Sequence, residues 1–148
     1  MSKIISYRGK IDIGTQNELN LRTNKGKVGY KINKFQIIGT APGVGNSEYI
    51  AQIYKTDQTG SIGIAVDFTD SDLIAVSYVK EGNLPTEGYG NTIIMDNEKF
   101  NQNIFVNITD ASGGTTPCNY YIELETMDLS DIQSTELTLR NIRQVTSR

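Results

Sequence analysis

Residues 28–39, VGYKINKFQIIG, place apolar side chains first at Val28, Tyr30 and Ile32 and then at Phe35 and Ile37. Side chains of a strand alternate between two faces, so one buried face demands one parity. Here the parity switches from even to odd inside a single apolar run, which predicts a β-bulge or a bend between two sheets. Either reading makes this stretch part of a β fold.

The flanking sequence continues in kind. Upstream, KIISYRGKIDIG (residues 3–14) sets Ile5, Tyr7, Ile11 and Ile13 on one parity, and ELNLRT repeats the pattern with Leu19 and Leu21. NKGK at residues 24–27 reads as a turn. Downstream, the Gly/Pro-rich loop GTAPGVGNS precedes EYIAQIYK, SIGIAVDF, LIAVSYVKE, NTIIM, NIFVNITD and NYYIELET, all short, rich in Ile, Val and Tyr, and separated by Gly, Asp, Asn or Pro. In NYYIELET, Tyr120, Ile122 and Leu124 share one face while Tyr121, Glu123 and Glu125 share the other. About eight such strands predict an all-β, antiparallel β-sandwich or jelly roll. The expected core includes Ile5, Tyr7, Ile11, Ile13, Ile104 or Phe105, Tyr120, Ile122 and Leu124.

The chain ends differently. In LSDIQSTELTLRNIRQVTSR, Ser130 or Asp131 can cap a helix on which Ile132, Thr135, Leu139 and Ile142 recur at helical spacing. Arg140 and Arg143 then fall in its last turns, where the helix dipole favours cations. A strand through TELTLRN is the alternative, because Leu137 and Leu139 also alternate. No linker, low-complexity tract or repeat divides the 148 residues, so a single domain over 1–148 is expected, with 130–148 as a terminal helix or arm.

Composition narrows the chemistry. His and Trp are both absent, and the missing His removes the commonest general base and the commonest metal ligand. The single cysteine, Cys118, has no partner for an internal disulfide and no His to form a Cys–His nucleophile, so it reads as an ordinary reduced thiol. The first residues carry too short an apolar run for a secretory segment and no run reaches membrane-span length, which makes a soluble protein assembled in a cytoplasm the expectation.

Each candidate motif has a plainer reading. GTAPGVGNSEY lacks the Gly-Lys-Ser/Thr of a phosphate loop, since Asn46 follows Gly45, and lacks a dinucleotide fingerprint, since Glu48 stands where a third small residue is needed. Asp67, Asp70 and Asp72 in DFTDSDL offer closely spaced oxygen ligands of the kind calcium takes. An EF-hand register from Asp70 would put Ile74 and Ala75 at its fifth and sixth positions, which excludes that loop; an acidic turn is the plainer reading, with a looser divalent site as the alternative. Glu123 and Glu125 share a strand face, as solvated carboxylates commonly do. No catalytic residue and no cofactor are expected. The eight Tyr residues suit core and interface packing more than a sugar platform, where Trp offers more stacking area.

The net charge of −3 conceals an asymmetry. Residues 1–34 hold eight cations against two carboxylates, residues 35–139 hold three cations against fifteen carboxylates, and residues 140–148 add three arginines. Basic ends and an acidic middle suit subunits touching one another, or charges folding back on the same chain. The acidic total weighs against nucleic acid. The residues expected to contact a partner are Lys3, Ile4, Arg8 and Lys10 at one end and Leu139, Arg140, Ile142 and Arg143 at the other.

The segment NIFVNITDASGGTTPCNYYIELETMDLSDIQSTELTLRNIRQ combines a strand, a Gly/Thr loop, a strand ending in Leu-Glu, then Leu-Ser-Asp and a Leu/Arg tail. This pattern resembles β-rich structural proteins of tailed phages of marine bacteria. The resemblance implies a non-enzymatic virion component, a jelly-roll capsid decoration (cement) or minor capsid protein, located in the virion. Its partners would be the major capsid protein, other virion proteins or further copies of itself, and it carries no catalytic residue across. A host-surface or glycan-binding module of a tail or head fibre is the alternative, and it would need a concave, Tyr-lined groove. An enzyme acting on cell-wall or nucleic-acid substrates ranks third.

Overall fold

The computed structural model describes residues 3–21, 26–82, 88–95 and 98–146, and of these the side chains of 88–89, 131 and 141–146 lie outside the description. The strands of the first half are β1 (Lys3–Ile11), β2 (Thr15–Leu19), β3 (Val28–Gly39) and β4 (Ser47–Tyr54). Those of the second half are β5 (Leu73–Glu81), β6 (Gly88–Ile94), β7 (Lys99–Phe100), β8 (Ile104–Asp110) and β9 (Cys118–Asp128), followed by helix α1 (Asp131–Thr146). All pairings are antiparallel, and they form two sheets: β1-β9-β3-β7, called here sheet A, and β2-β8-β4-β5-β6, sheet B.

The pairs are nested. β1 bonds to β9, β2 to β8, β3 to β7 and β4 to β5, with β6 added as a hairpin beside β5. One long ribbon folded on itself and wrapped into two facing sheets produces this order, which is that of a jelly roll. The expected all-β sandwich is therefore present.

The switch of parity in β3 is a bulge. Ile32 pairs with Leu124 and Lys34 with Glu123, which leaves Asn33 as the extra residue. Tyr30 and Ile32 before it, and Phe35 and Ile37 after it, all point into the space between the sheets. There they meet Ile11, Ile122 and Leu124 of sheet A and Tyr49, Ala51, Ile53, Ile104, Val106 and Ile108 of sheet B. Ile5, Tyr7 and Ile13 are half-buried against the edge of this core. Gly9 makes room for Tyr120, whose ring would stand 2.8 Å from any Cβ there. The turn expected at residues 24–27 lies partly outside the described residues, and of it Gly26 takes a left-handed φ of 62°.

One expected strand is absent. SIGIAVDF (residues 61–68) is part of the loop between β4 and β5, with Ile64, Val66 and Phe68 exposed. The ladder explains it: β4 is already flanked by β8 and β5, and β5 by β4 and β6, so this segment has no free edge beside the strands it connects. Instead its Ala65 carbonyl accepts a bond from Gln52 Nε2 on the outward side of β4 (3.1 Å).

The C-terminal segment is a helix and not the alternative strand. Ser130 Oγ accepts from the Gln133 amide (3.2 Å) while Gln133 Oε1 accepts from the Ser130 amide (3.1 Å), a reciprocal capping box that selects Ser130 over Asp131 as the cap. Asn101, fully buried after β7, anchors the helix. Its Nδ2 lies within bonding distance of the carbonyls of Gly26 (3.0 Å) and Ser134 (3.3 Å) and of Thr138 Oγ1 (3.0 Å). Among the described residues no helix is long and apolar enough to cross a membrane.

Candidate functional site

The outward face of sheet A carries Ile4, Arg8 and Lys10 with their cross-strand neighbours. The ladder aligns them in rows: Ile4, Glu125 and Lys31; Ser6, Glu123 and Lys34; Arg8, Tyr121 and Gln36; Lys10, Asn119 and Ile38. The first row folds charge back on the chain itself, since Lys31 Nζ lies 3.8 Å from Glu125 and Asn33 Nδ2 donates to the same carboxylate (3.3 Å). The last two rows are different. They line an open depression of about 650 Å³ in which Arg8 and Lys10 stand beside Tyr121, Gln36, Ile38 and Asn119. Among the described residues neither Arg8 nor Lys10 forms an ion pair.

The N-terminal contact residues thus fall into two groups. Lys3 and Ile4 sit where β1 meets the end of β9 that leads to the helix, while Arg8 and Lys10 lie about 13–23 Å further along at the usual strand rise of roughly 3.3 Å per residue. Ile4 is 54% exposed.

The C-terminal group lies across the sheet. α1 packs through Ser134, Leu137 and Thr138 beside β7, so the helix and β1 occupy opposite edges of sheet A. Its outward stripe shows Ile132 (73% exposed) and Leu139 (51%). Arg140 is tied to the body, 3.6 Å from a Glu98 oxygen that also accepts from the buried Lys55 (2.8 Å). Ile142 and Arg143 belong to the helix, but their side chains lie outside the described residues.

The acidic turn is occupied by its own backbone. Asp67 Oδ1 accepts from the Thr69 amide and hydroxyl, Asp70 Oδ1 from the Asp72 amide, and Asp72 Oδ2 from Thr56 Oγ1. The two Thr69 bonds hold Asp67 below the usual carboxylate range. Among the described residues no three His, Cys, Asp or Glu side chains converge on a metal position.

Cys118 is buried at the start of β9, and its pKa is pushed up to about 12 by burial first and then by the negative fields of Glu81 and Asp110. The thiolate is the nucleophile, so this sulfur is held in its unreactive form. An aromatic disulfide reagent at pH 8 is expected to leave the folded protein unmodified over hours and to label one thiol as soon as it is denatured. Rapid labelling of the native chain would contradict this.

Comparison with family models, with curated proteins and with solved structures finds no match to this chain.

Tyr121, Gln36, Ile38 and Asn119 were not singled out by the sequence. Their outward parity was readable, since each alternates with a core residue, but the lateral register that sets them beside Arg8 and Lys10 exists only once three strands are aligned.

Proposed function

We propose that the chain is a non-enzymatic structural protein of a phage virion, a capsid decoration or minor capsid protein that attaches to the shell protein or to further copies of itself. The observation that carries the reading is the exposure of large apolar side chains at both ends of the chain, Ile4 on one edge of sheet A and Ile132 and Leu139 on the helix at the other. The jelly-roll order supports it by analogy of fold alone, since capsid and lectin domains both use that architecture. The absence of His and the inert Cys118 support a role without catalysis.

Because the two exposed sites lie on opposite edges, one copy's β1 edge meets another copy's helix in a head-to-tail contact, which closes a ring or extends a row around a shell. Lys3 beside Ile4 tunes that contact but contributes little, because exposed ion pairs are weak and screened by salt. Removing residues 1–10 is a poor test, since β1 bonds to β9 along its whole length and the deleted part packs Ile5 and Tyr7 against the core.

Point changes are better. Ile4→Asp, and separately Ile132→Asp with Leu139→Asp, are expected to weaken association by roughly tenfold or more without lowering the thermal midpoint, as apolar interface anchors do. Sedimentation velocity reads self-association, and cosedimentation with particles lacking the protein reads attachment. If both variants stay folded and associate and attach like the parent, the proposal is wrong.

A further inference from the structure

We propose that the depression on the outward face of sheet A binds an acidic saccharide, a sugar bearing carboxylate or sulfate groups. This goes beyond the assembly reading and does not depend on it, because the depression lies at the other end of β1 from Ile4.

Tyr121 stands between Arg8 on β1 and Gln36 on β3, and Asn119 between Lys10 and Ile38. The volume, about 650 Å³, falls in the range of small-molecule sites, roughly 300–1,000 Å³. A pyranose has one face of C–H groups and an equator of hydroxyls. The first suits the half-buried Tyr121 ring and the exposed Ile38, because an aromatic face takes apolar contact at low entropic cost. The second suits the side-chain amides of Gln36 and Asn119, each of which donates and accepts.

Charge fixes the class of sugar. In a chain of net charge −3, two cations face this depression and, among the described residues, no carboxylate lines it. On the same face Glu123 stands one row away, opposite Lys34 and Ser6. Arg8 therefore presents its planar fork to an anion without competition from a lining residue, and a guanidinium recognises carboxylate or sulfate by paired bonds. Nucleic acid fits less well, since two cations in a chain of net negative charge offer little for a phosphate backbone. An acidic protein surface would use the cations but leave the ring and amides without a role.

The test titrates trigalacturonate into the full chain at low salt and follows backbone amide shifts. A sulfated chitobiose serves as the second acidic saccharide, maltotriose as the neutral sugar and hexaglutamate as an acid without a ring. Saturable shifts confined to residues 8–10, 36–38 and 119–121 are expected with at least one acidic saccharide, and binding of maltotriose should be weaker by about tenfold or more, the loss of one charged contact. Arg8→Gln and Tyr121→Ala should each weaken the acidic saccharide by about tenfold or more at an unchanged fold, and Tyr121→Leu keeps the apolar bulk if the alanine variant unfolds. Two results overturn the proposal: no saturable shift from either acidic saccharide, or hexaglutamate binding as tightly as they do with no loss in Tyr121→Leu.

Discussion

Deleting Lys31 is expected to destabilise the protein by about 3–6 kcal/mol, whereas deleting Asn33, two residues later, is expected to leave stability within about 1 kcal/mol of the parent. The difference follows from phase. Asn33 is the residue without a partner in the β3–β9 ladder, so its removal lets Ile32, Lys34 and Phe35 alternate against Leu124, Glu123 and Ile122 without a break. What is lost is a locally stronger twist and an exposed bond to Glu125. Removing Lys31 has no such escape. If the chain slips on the C-terminal side, Ile32 turns to solvent and the Asn33 amide enters the core opposite Leu124 without a partner. If it slips on the other side, Tyr30 leaves its stack on Phe100 and Gly29 takes its inward place. A one-residue shift inverts faces, and a central strand of sheet A cannot tolerate that. Denaturant titration of both deletions decides it, and equal losses would show that the bulge is not where the phase is reset.

The parity switch between Ile32 and Phe35 was visible because a buried face imposes period two, and the bulge is the local answer to it. The capping box at Ser130 and Gln133 was half visible for the same reason: a cap is a local motif, written within four residues. SIGIAVDF was misleading because alternation reports only that a segment fits a strand, while pairing depends on whether a neighbouring edge is free. β7 was invisible, since two residues, Lys99 and Phe100, carry no periodicity, yet they complete sheet A and place Asn101 under the helix. The depression beside Tyr121 needed β1, β9 and β3 in register. Lateral register is a long-range property, and no local pattern encodes it.

The last expected result concerns Asp110, at the end of β8. Its Oδ1 accepts from the amides of Glu48 (3.0 Å) and Ser112 (2.9 Å) and from Ser112 Oγ (2.5 Å), joining the start of β4 to the loop that leads into β9. Its Oδ2 is buried and, among the described residues, has no hydrogen-bond partner. Burial is the largest single influence on this carboxyl and pushes its pKa up, but the bonds from Ser112 and Glu48 together outweigh it and hold the group below the usual carboxylate range. Asp110→Ala strips acceptors from two backbone amides at once, so a loss of about 2–4 kcal/mol at neutral pH is expected. Asp110→Asn keeps an oxygen in place and should lose less. The pH dependence separates charge from shape. A folded pKa below the unfolded one means that the stabilisation is complete above the unfolded value, about 3.9, and disappears as pH falls through the lowered folded value. The stability gap between the parent and Asp110→Asn should therefore be widest near neutrality and close on acidification, with the other carboxylates cancelling because both proteins retain them. A gap that stays constant down to acid would mean that Asp110 acts by shape alone and that its charge does nothing for the fold.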